Sequence, residues 1–571
     1  MTLRDRTLIA AFAVLFVAAS AVALATSGGS AGPTASGQPT VPVARRYVEG
    51  VLGHATNASP FGARSTADRE LVALLFRGLV KLGPGQSIVG DLASSWDVDP
   101  SGNTWTFHLR PGLQWQDGQP LTADDVAFTI RALSDPTYDG PGAESWREVT
   151  ATASDPVTVA LRLTTPLGGF LQAATQPIAP EHILGLEPPA KLSSDAFGLH
   201  PIGSGPFELV TLDGNRAVVD APAPALEAPF TSPTPAAAAA SGPITAFPSP
   251  YLAGIEFEYF DDAAGLTAAW QRGELDGASG LDPSDAATLG AQPGARLLRY
   301  PSSSLLAVVP DLRPGHGTFS DPAVRKALLS ALDRNAILAD PLLGFGTVAD
   351  ALIPPWAAEF DATASPPPSF DPTAAQAGLT AAGWKRTDAG WVPKGAKAPV
   401  QITVLSADAA SNPVASATAE DVAQAWHAIG LTVTHESVPA AELLADRIEP
   451  GSFDVAVVPL VIGLDPDLYP LLASSQTRSG GANLAGLQDP TLDRLLAAAR
   501  APGAADQRLK AYAALQERLA STMPILPLAF RDEVVVLRDT LTGPVIRPVG
   551  GPGDRFWDVL TWRLAQAPTS S

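Results

Sequence analysis

The most constraining feature of this sequence is a continuous run of strand, turn and helix signals from Leu92 to Leu133. Residues 105–110 alternate apolar and polar side chains, which is the period of a strand with one buried face. A polar turn at 99–102 precedes this strand, and Thr122 and Asp125 have the spacing of a capping box. Apolar residues then recur on one helical face, at Val126, Ile130 and Leu133. The stretch therefore predicts a strand pair followed by a capped α-helix.

The length and charge of the chain limit the classes of protein to which it can belong. A chain of 571 residues exceeds one ordinary hydrophobic core, so we expect two or three domains. The formal net charge of -21 argues against nucleic acid as a partner, because phosphate binding requires clustered lysine and arginine. It also disfavours attraction to an anionic membrane surface.

The N-terminus and the absence of cysteine bear on targeting. Without cysteine the chain has no disulfides, no thiolate metal site and no cysteine-linked lipid, so it is not a lipoprotein. Arg4 and Arg6 precede the apolar run Leu8–Leu24, which is typical of a secretory signal. Since that run approaches the ~20 residues of a membrane span, residues 1–25 are predicted to be either a cleaved signal peptide or a retained anchor. Residues 26–40 are rich in Gly, Ser, Pro and Ala and predict a flexible linker, or simply a disordered N-terminus of the mature protein.

The second half of the chain alternates strand and helix signals, which predicts an α/β fold class. Strands are expected at 400–405, 431–434 and 453–461, with a long helix after Asn412. The Pro/Ala-rich segment 221–250 lacks periodicity and predicts a surface excursion between two strands.

Several segments occur in the order typical of one protein family. Besides the Leu92–Leu133 stretch, they are Phe76–Val80, Gly203–Phe207, Gly273–Asp276, Asp321–Arg334 and Asn483–Leu487. The chain therefore resembles the extracytoplasmic solute-binding proteins of family 5, the peptide/nickel type. The resemblance implies a monomeric binding protein without a cofactor. It would deliver a small molecule or oligopeptide to the permease subunits of an ABC importer, and would touch the membrane only through its N-terminal segment.

The resemblance also implies a two-lobed fold of the periplasmic-binding-protein type II, enlarged by an inserted domain. The first lobe would be discontinuous and would comprise residues 41–78, 197–296 and 536–571. The inserted domain would span 79–196, and the second lobe 297–535. Hinge strands would connect the lobes, which would close over a ligand that binds the closed state better than the open one.

The chain departs from the family pattern where its peptide-binding members contact the ammonium of the peptide. Those members often place an Asp four residues before the Pro of an acidic-Pro pair, and a Trp seven before it. Here the pair is Asp465-Pro466, and the two positions hold Ile462 and Pro459. A buried ammonium without its carboxylate is costly to desolvate. The segment therefore predicts either a more apolar pocket wall or a core strand, and a peptide-like or other moderately apolar solute.

No catalytic or metal-binding pattern stands out in the sequence, so we do not expect an enzyme. Gly203-Ser204-Gly205 lacks the second spaced glycine of a nucleophile elbow, and the histidines form no pair at metal-binding spacing. Ligand contacts are expected at strand-end loops, because clefts in α/β domains open there. The candidates, each with ordinary loop packing as its alternative, are Asn57, Phe61, Ser302, Ser303, Ser406, Asn412, Ile462, Asp465, Tyr469 and Asn483.

Two other classes of function compete with an importer-binding protein. A membrane-anchored sensor or interaction protein would keep the fold without an importer, and retention of residues 1–25 would suit it. A secreted hydrolase is the third class, and no motif in the chain supports it.

Overall fold

A computed structural model describes residues 45–222, 248, 250–364, 366–477 and 480–565. The predicted signal or anchor and the linker lie outside the described residues, as does most of the Pro/Ala-rich segment 221–250. Within the described ranges, no helix combines the length and the apolar character that crossing a membrane requires.

Strands and helices alternate along the described chain. The strands are β1 (Tyr47–Leu52), β2 (Val80–Leu82), β3 (Ile88–Gly90), β4 (Ala93–Val98), β5 (Thr104–Leu109), β6 (Val149–Asp155), β7 (Thr158–Leu163), β8 (Glu208–Leu212), β9 (Arg216–Asp220), β10 (Gly254–Phe260), β11 (Gly277–Ser279), β12 (Ala295–Pro310), β13 (Gly346–Val348), β14 (Lys385–Thr387), β15 (Gly390–Val392), β16 (Gln401–Ala407), β17 (Thr432–Val438), β18 (Val455–Val461), β19 (Leu526–Arg538), β20 (Leu541–Thr542) and β21 (Arg563–Leu564). The longer helices are α1 (Thr66–Leu75), α2 (Ala123–Ser134), α3 (Ala263–Arg272), α4 (Pro283–Gly290), α5 (Pro322–Ser330), α6 (Pro372–Ala381), α7 (Pro413–Ala428), α8 (Pro490–Arg500) and α9 (Ala505–Thr522). Shorter helical segments are Pro84–Gln86, Ala143–Trp146, Phe170–Ala173, Glu181–Leu184, Pro189–Leu192, Ala196–Leu199, Gly317–Phe319, Arg334–Ala339, Ala440–Glu442, Leu443–Ile448, Tyr469–Leu472, Ser474–Thr477, Pro552–Phe556 and Val559–Thr561.

The strand pair and capped helix predicted for Leu92–Leu133 are confirmed. β4 and β5 pair antiparallel, with Trp96 opposite Phe107, inside the four-stranded sheet β4-β5-β7-β6. At the start of α2, Thr122 and Asp125 form the capping box, in which the Thr122 backbone N–H donates to Asp125 Oδ2 at 2.8 Å. The other oxygen of Asp125 accepts from the Glu181 backbone N–H at 2.9 Å, so the same carboxylate also holds a distant loop.

A large mixed sheet organises the rest of the described residues. Its eleven described strands follow the order β17-β16-β18-β12-β19-β11-β1-β10-β9-β8, and β13 also pairs with β19. The longest two, β12 and β19, are antiparallel neighbours at its centre. The C-terminal half of β12 pairs with β18, and the C-terminal end of β19 pairs with β11. These two strands therefore join both halves of the sheet, and the predicted α/β fold class is confirmed.

Different parts of β12 and of β19 pack in different hydrophobic cores. On β12, Leu306 and Val308 face one core while Leu305 and Ala307 face another, as the two-residue period of a strand requires. Residues at 298 and 300 of β12, and at 535 and 537 of β19, instead belong to a core built from 47–259 and 541–562. The changeover falls between 300 and 305 on β12 and between 530 and 535 on β19. Both central strands thus pass between two packing units. One is the core built from 47–259 and 541–562, and the other is the pair of cores on the two faces of the C-terminal half of β12.

The turn Gly203–Phe207 is structural, as its sequence indicates, and it supports a prediction. The Gly205 N–H donates to Leu75 O at 2.8 Å, and a Cβ on Gly205 would lie only 2.3 Å from Leu74 O. We expect Gly205→Ala to lower the free energy of unfolding by about 1–3 kcal/mol, because backbone atoms must move to admit the methyl group. Thermal and urea unfolding measure the change. Gly214→Ala is the control, since no described atom outside its immediate chain neighbours lies within 4 Å of a Cβ there; equal losses in both variants would contradict the prediction.

Candidate functional site

A cavity of about 460 Å³ opens where β12 and β19 pass between the packing units. That volume is within the range of small-molecule sites in proteins. Apolar side chains form much of its wall, among them Val51, Leu281, Leu342, Phe345 and Val461. Polar lining comes from α1, β11, the middle of β12 and the middle of β19, and includes Glu70, Ser279, Ser302, Ser303, Arg531, Asp532 and Glu533.

An irregularity in the pairing of β12 with β19 shapes this cavity. The register shifts between Pro301 and Leu305, so the three intervening serines leave the regular ladder. Ser302 Oγ donates to Arg531 O at 2.7 Å, and the Ser303 N–H donates to Val549 O at 3.1 Å. Ser303 Oγ is buried and has no hydrogen-bond partner among the described residues. A residue that lines the cavity therefore holds a buried, unpartnered hydroxyl.

Three consecutive charged residues of β19 line the cavity and differ in their partners. Asp532 forms an ion pair with Arg299 at 2.6 Å. Within the described ranges, the side chains of Arg531 and Glu533 have neither an ion-pair nor a hydrogen-bond partner. Burial lowers the pKa of Arg531. Burial, and then the charge of Glu70, raises the pKa of Glu533 to about 7.

A buried cluster of charges lies beside Glu533. Arg555 donates to Glu49 Oε1 at 2.6 Å and to Glu70 Oε1 at 2.8 Å, and all three side chains are almost fully buried. Tyr47 and Ser279 also donate to the Glu49 carboxylate, at 2.8 and 2.5 Å. Glu70 Oε2 has no partner in the described part of the chain. The cluster joins β1, α1 and the C-terminal segment, and it leaves one carboxylate oxygen unused.

The raised pKa of Glu533 has a consequence for stability. Because the folded state holds this proton more tightly than the unfolded state, the carboxyl disfavours folding increasingly as pH rises from about 4.5 to about 7. The neighbouring charges responsible are those of Glu70, Asp554 and Glu49, opposed by Arg555. We expect Glu533→Gln to raise the free energy of unfolding at pH 8 by up to about 3 kcal/mol. At pH 4.5 we expect the substitution to have little effect on that free energy.

Melting temperatures measured between pH 4.5 and 8.5 test that expectation. Glu208→Gln is the matched control, because Glu208 is an exposed carboxylate on the edge strand β8. The expectation is refuted if the difference in melting temperature between the Glu533→Gln protein and the parent does not increase with pH.

The structure brings together three of the sequence-predicted contact residues. Ser302 and Ser303 line the cavity, and the Ile462 N–H donates to Ser303 O at 3.0 Å. Ile462 itself is buried in the apolar core beneath, with Ala456, Val458 and Leu460 of β18. Val455 and Val457 pack in the core on the other face of the strand. Val461, which is 64% exposed, is the residue of β18 on the cavity wall. The apolar segment thus serves mainly as a core strand and contributes one apolar wall residue.

Asp465 and Tyr469 lie away from this wall, and Asp465 contacts the segment 79–196. Asp465 accepts from Arg508 at 2.6 Å, and its carboxylate packs so closely on Gly169 that a Cβ there would be 1.8 Å from Oδ2. The ring of Tyr469 lies 4.3 Å from the guanidinium of Arg500. Both side chains therefore have structural partners, and ligand contact by either stays a prediction.

The other five candidates are also outside the cavity wall. Phe61 is fully buried between the rings of Phe128 and Tyr138. Asn57 Oδ1 accepts from the Ser59 N–H, and Asn412 caps α7. Ser406 contacts His435, and Asn483 holds the loop 473–487 and borders a separate cavity of about 300 Å³. Ligand contact by Asn57, Phe61, Ser406, Asn412 or Asn483 stays a prediction.

Sequence reasoning missed Glu70, Arg531 and Glu533. One signal was present, because Arg531-Asp532-Glu533 interrupts an otherwise apolar strand pattern, Leu526–Leu537. Nothing in the sequence around Glu70 marks it, since an acidic residue in an amphipathic helix is ordinary. Across the described ranges, no group of three or more His, Asp or Glu side chains is arranged to hold a metal ion.

Comparison with known proteins places the chain in a family. It is 29% identical to Protein XP55 of Streptomyces lividans over 92% of this chain and 91% of that protein. It is 25% identical to the glutathione-binding protein GsiB of Escherichia coli O157:H7 over 89% and 93% of the two chains. The structure of the oligopeptide-binding protein AppA from Bacillus subtilis, in complex with a nonapeptide, has the same fold, with a TM-score of 0.73 and 23% identity over 92% of this chain and 100% of that chain. A family model, "Bacterial extracellular solute-binding proteins, family 5 Middle", matches residues 87–482, which is more than half of the chain. The chain belongs to family 5 of the bacterial extracellular solute-binding proteins.

Proposed function

We propose that this chain is the substrate-binding protein of an ABC importer and binds a peptide-like or other moderately apolar small solute. The observation that carries the proposal is the position of the cavity. It lies where β12 and β19 leave one set of cores and enter another. A ligand there touches both packing units, so its binding energy favours the arrangement in which they are close together. The mixture of apolar wall and few polar groups suits a solute of this class.

We propose the two lobes that the sequence predicts, and the same changeover supports a division of this kind. The first lobe comprises 41–78, 197–296 and 536–571, with 79–196 as its inserted domain, and the second comprises 297–535. The core changeover at 300–305 and 530–535 supports hinges within β12 and β19. Closure then involves small backbone changes in two strands, and the packing of either lobe is preserved.

The location and partners of the protein belong to the same proposal. The chain acts outside the cytoplasm, is exported through residues 1–25, and is a monomer that docks on the permease subunits of its importer. Among relatives, GsiB is named for glutathione and AppA was crystallised with a nonapeptide, which supports a peptide-like solute. The alternative, a membrane-anchored sensor with the same fold, depends on residues 1–25, which lie outside the described residues.

Ligand binding and lobe closure are measurable together. We expect native mass spectrometry of the purified full chain to detect a co-purified small solute. After removal of that solute by unfolding and refolding, we expect its return at 100 times the dissociation constant to stabilise the protein by about 2.7 kcal/mol. Small-angle X-ray scattering should show a smaller radius of gyration for the loaded form. A protein that retains no solute and responds to no peptide, amino acid or sugar in thermal-shift screening would contradict the proposal.

A further inference from the structure

A short contact outside the cavity wall joins the segment 79–196 to the C-terminal half of the chain. The Gly168 N–H donates to Arg500 O at 2.8 Å. Beside it, the Asp465 carboxylate occupies the space of a side chain on Gly169, where a Cβ would lie only 1.8 Å from Oδ2. We call this contact, of Gly168 and Gly169 with Asp465 and Arg500, the clasp.

The two sides of the clasp belong to different packing units. Phe170, which follows the two glycines, is buried in the core built from 47–259 and 541–562. Arg500 is the last residue of α8, whose Leu496 packs in a core of the other unit. The clasp therefore joins the two units at a place outside the strands β12 and β19, and it separates when the units move apart about those strands.

On the side of the second unit, the clasp uses groups that are already held in place. Arg508 donates to Asp465 Oδ1 at 2.6 Å and to Glu359 Oε1 at 2.7 Å, so the carboxylate has a fixed partner. The last carbonyls of a helix have no partner within the helix. The Gly168 N–H supplies one for Arg500 at the end of α8. The contact thus satisfies a helix end with a donor from the other packing unit.

The two glycines are needed for space and not for backbone conformation. Neither has a positive φ, so residues with a side chain can adopt either conformation. The three atoms nearest to a Cβ on Gly169 all belong to Asp465, and those nearest to a Cβ on Gly168 belong to Arg500 and Ala501. A side chain at either position would therefore press first on the other packing unit.

The clasp adjoins the cavity. Leu464 precedes Asp465 in the chain, and Leu464 Cγ lies 3.0 Å from the position of a Cβ on Gly550. Gly550 lines the cavity and follows Val549, which belongs to the core of the first unit. Contacts between the two packing units thus run from the rim of the cavity at Gly550 to the clasp. This side of the cavity stays shut while the clasp is intact.

We propose that the clasp holds the two packing units together around a bound solute, and that it separates before the solute leaves. Gly168, Gly169 and Asp465 are then positioning residues, which set the rate of release from outside the cavity wall. The inference rests on the proposed solute-binding function and gives the segment 79–196 a part in it. One hydrogen bond and one close contact contribute little free energy, so the clasp can break in each round of binding.

A methyl group added at Gly169 tests the proposal on the full chain. The parent and the Gly169→Ala protein are loaded with a mixture of apolar tripeptides, and release after dilution is followed by mass spectrometry. We expect release from Gly169→Ala to be about 3- to 10-fold faster, because loss of a contact made in the closed arrangement raises the dissociation rate. Gly214→Ala is the control and should release at the parent rate, since no described atom outside its immediate chain neighbours lies within 4 Å of a Cβ there.

A reversible cross-link tests the opposite effect. A Cβ on Gly169 would lie 2.6 Å from Asp465 Cγ, which is within the reach of a disulfide in the variant Gly169→Cys with Asp465→Cys. The parent chain has no cysteine to compete. We expect oxidation of this variant by diamide to slow tripeptide release by at least about 10-fold, and reduction by dithiothreitol to reverse the effect. In the control, Gly214→Cys with Asp465→Cys, oxidation should leave the release rate unchanged.

The outcomes separate this inference from the function on which it rests. Unchanged release from Gly169→Ala would overturn the clasp, as would failure of the cross-link to form or release from the oxidised protein as fast as from its reduced form. If the parent binds tripeptides and one of these results is obtained, the solute-binding function stands and the clasp is refuted. If the parent retains no solute and binds no tripeptide, amino acid or sugar, both are refuted.

Discussion

Replacement of Arg555 by Met is expected to lower the free energy of unfolding by about 3–5 kcal/mol. Arg555 is 1% exposed and donates to Glu49 at 2.6 Å and to Glu70 at 2.8 Å. Burial by itself would lower the pKa of Arg555, but the charges of Glu49 and Glu70 outweigh that effect and hold it well above its ordinary value. Removal of the guanidinium leaves two carboxylates buried without a counter-charge. Thermal and urea unfolding of the full chain measure the loss.

A second substitution identifies the cause of that loss. Arg555→Met combined with Glu70→Met removes one uncompensated carboxylate together with its partner, and we expect it to recover part of the stability. Arg131→Met is the surface control, because the Arg131 side chain is 57% exposed and pairs with Glu181 at the surface. We expect that control to change stability little. A double variant no more stable than Arg555→Met would show that lost packing, and not buried charge, dominates.

Arg325→Met is expected to have an effect of similar size in the other half of the protein, about 3–5 kcal/mol, for a different reason. Arg325 is 3% exposed on α5 and donates to three backbone carbonyls, those of Met523, Thr522 and Phe319. Two of these, the carbonyls of Thr522 and Met523, lie at the C-terminal end of α9, where the last carbonyls of a helix have no partner within the helix. Burial lowers the pKa of Arg325 to about 10, so the side chain is charged at neutral pH.

Arg325→Lys is the matched variant, because it keeps the charge but loses the planar fork of donors. We expect it to lie between the parent and Arg325→Met in melting temperature. Refolding should remain possible, since the cores around α5 are otherwise intact. If Lys and Met were equally destabilising, charge would contribute nothing, and the geometry of the hydrogen bonds alone would account for the effect.

Much of the local structure could be predicted from the sequence because it depends on neighbours in the chain. The capping box of Thr122 and Asp125 predicted α2, and alternation of side chains predicted β5. The long helix predicted after Asn412 is α7 (Pro413–Ala428), and Gly430 follows its end in the left-handed region. The strands predicted at 400–405, 431–434 and 453–461 appear as β16, β17 and β18. The order of the motifs along the chain also identified the family, because the motifs depend on the same short-range geometries.

The candidate site was predictable only in part. Ser302 and Ser303, two of the predicted ligand contacts, line the cavity. Phe61 packs in a core and Asn412 caps a helix, so both have structural roles that sequence position does not reveal, and ligand contact by either stays a prediction. Glu70 and Glu533 are 463 positions apart in the chain, and no local pattern links them.

The sequence by itself determined much of the local structure, the family and the absence of cysteine chemistry, because each depends on residue type or short spacing. Only the tertiary structure decided which charges lie together in the cleft. Pairing of β12 with β19 and docking of α1 against the C-terminal segment place Glu533 beside the Glu49–Arg555–Glu70 cluster. Burial there removes water from these carboxylates, and so gives ordinary acidic residues an electrostatic role that their spacing along the chain does not indicate.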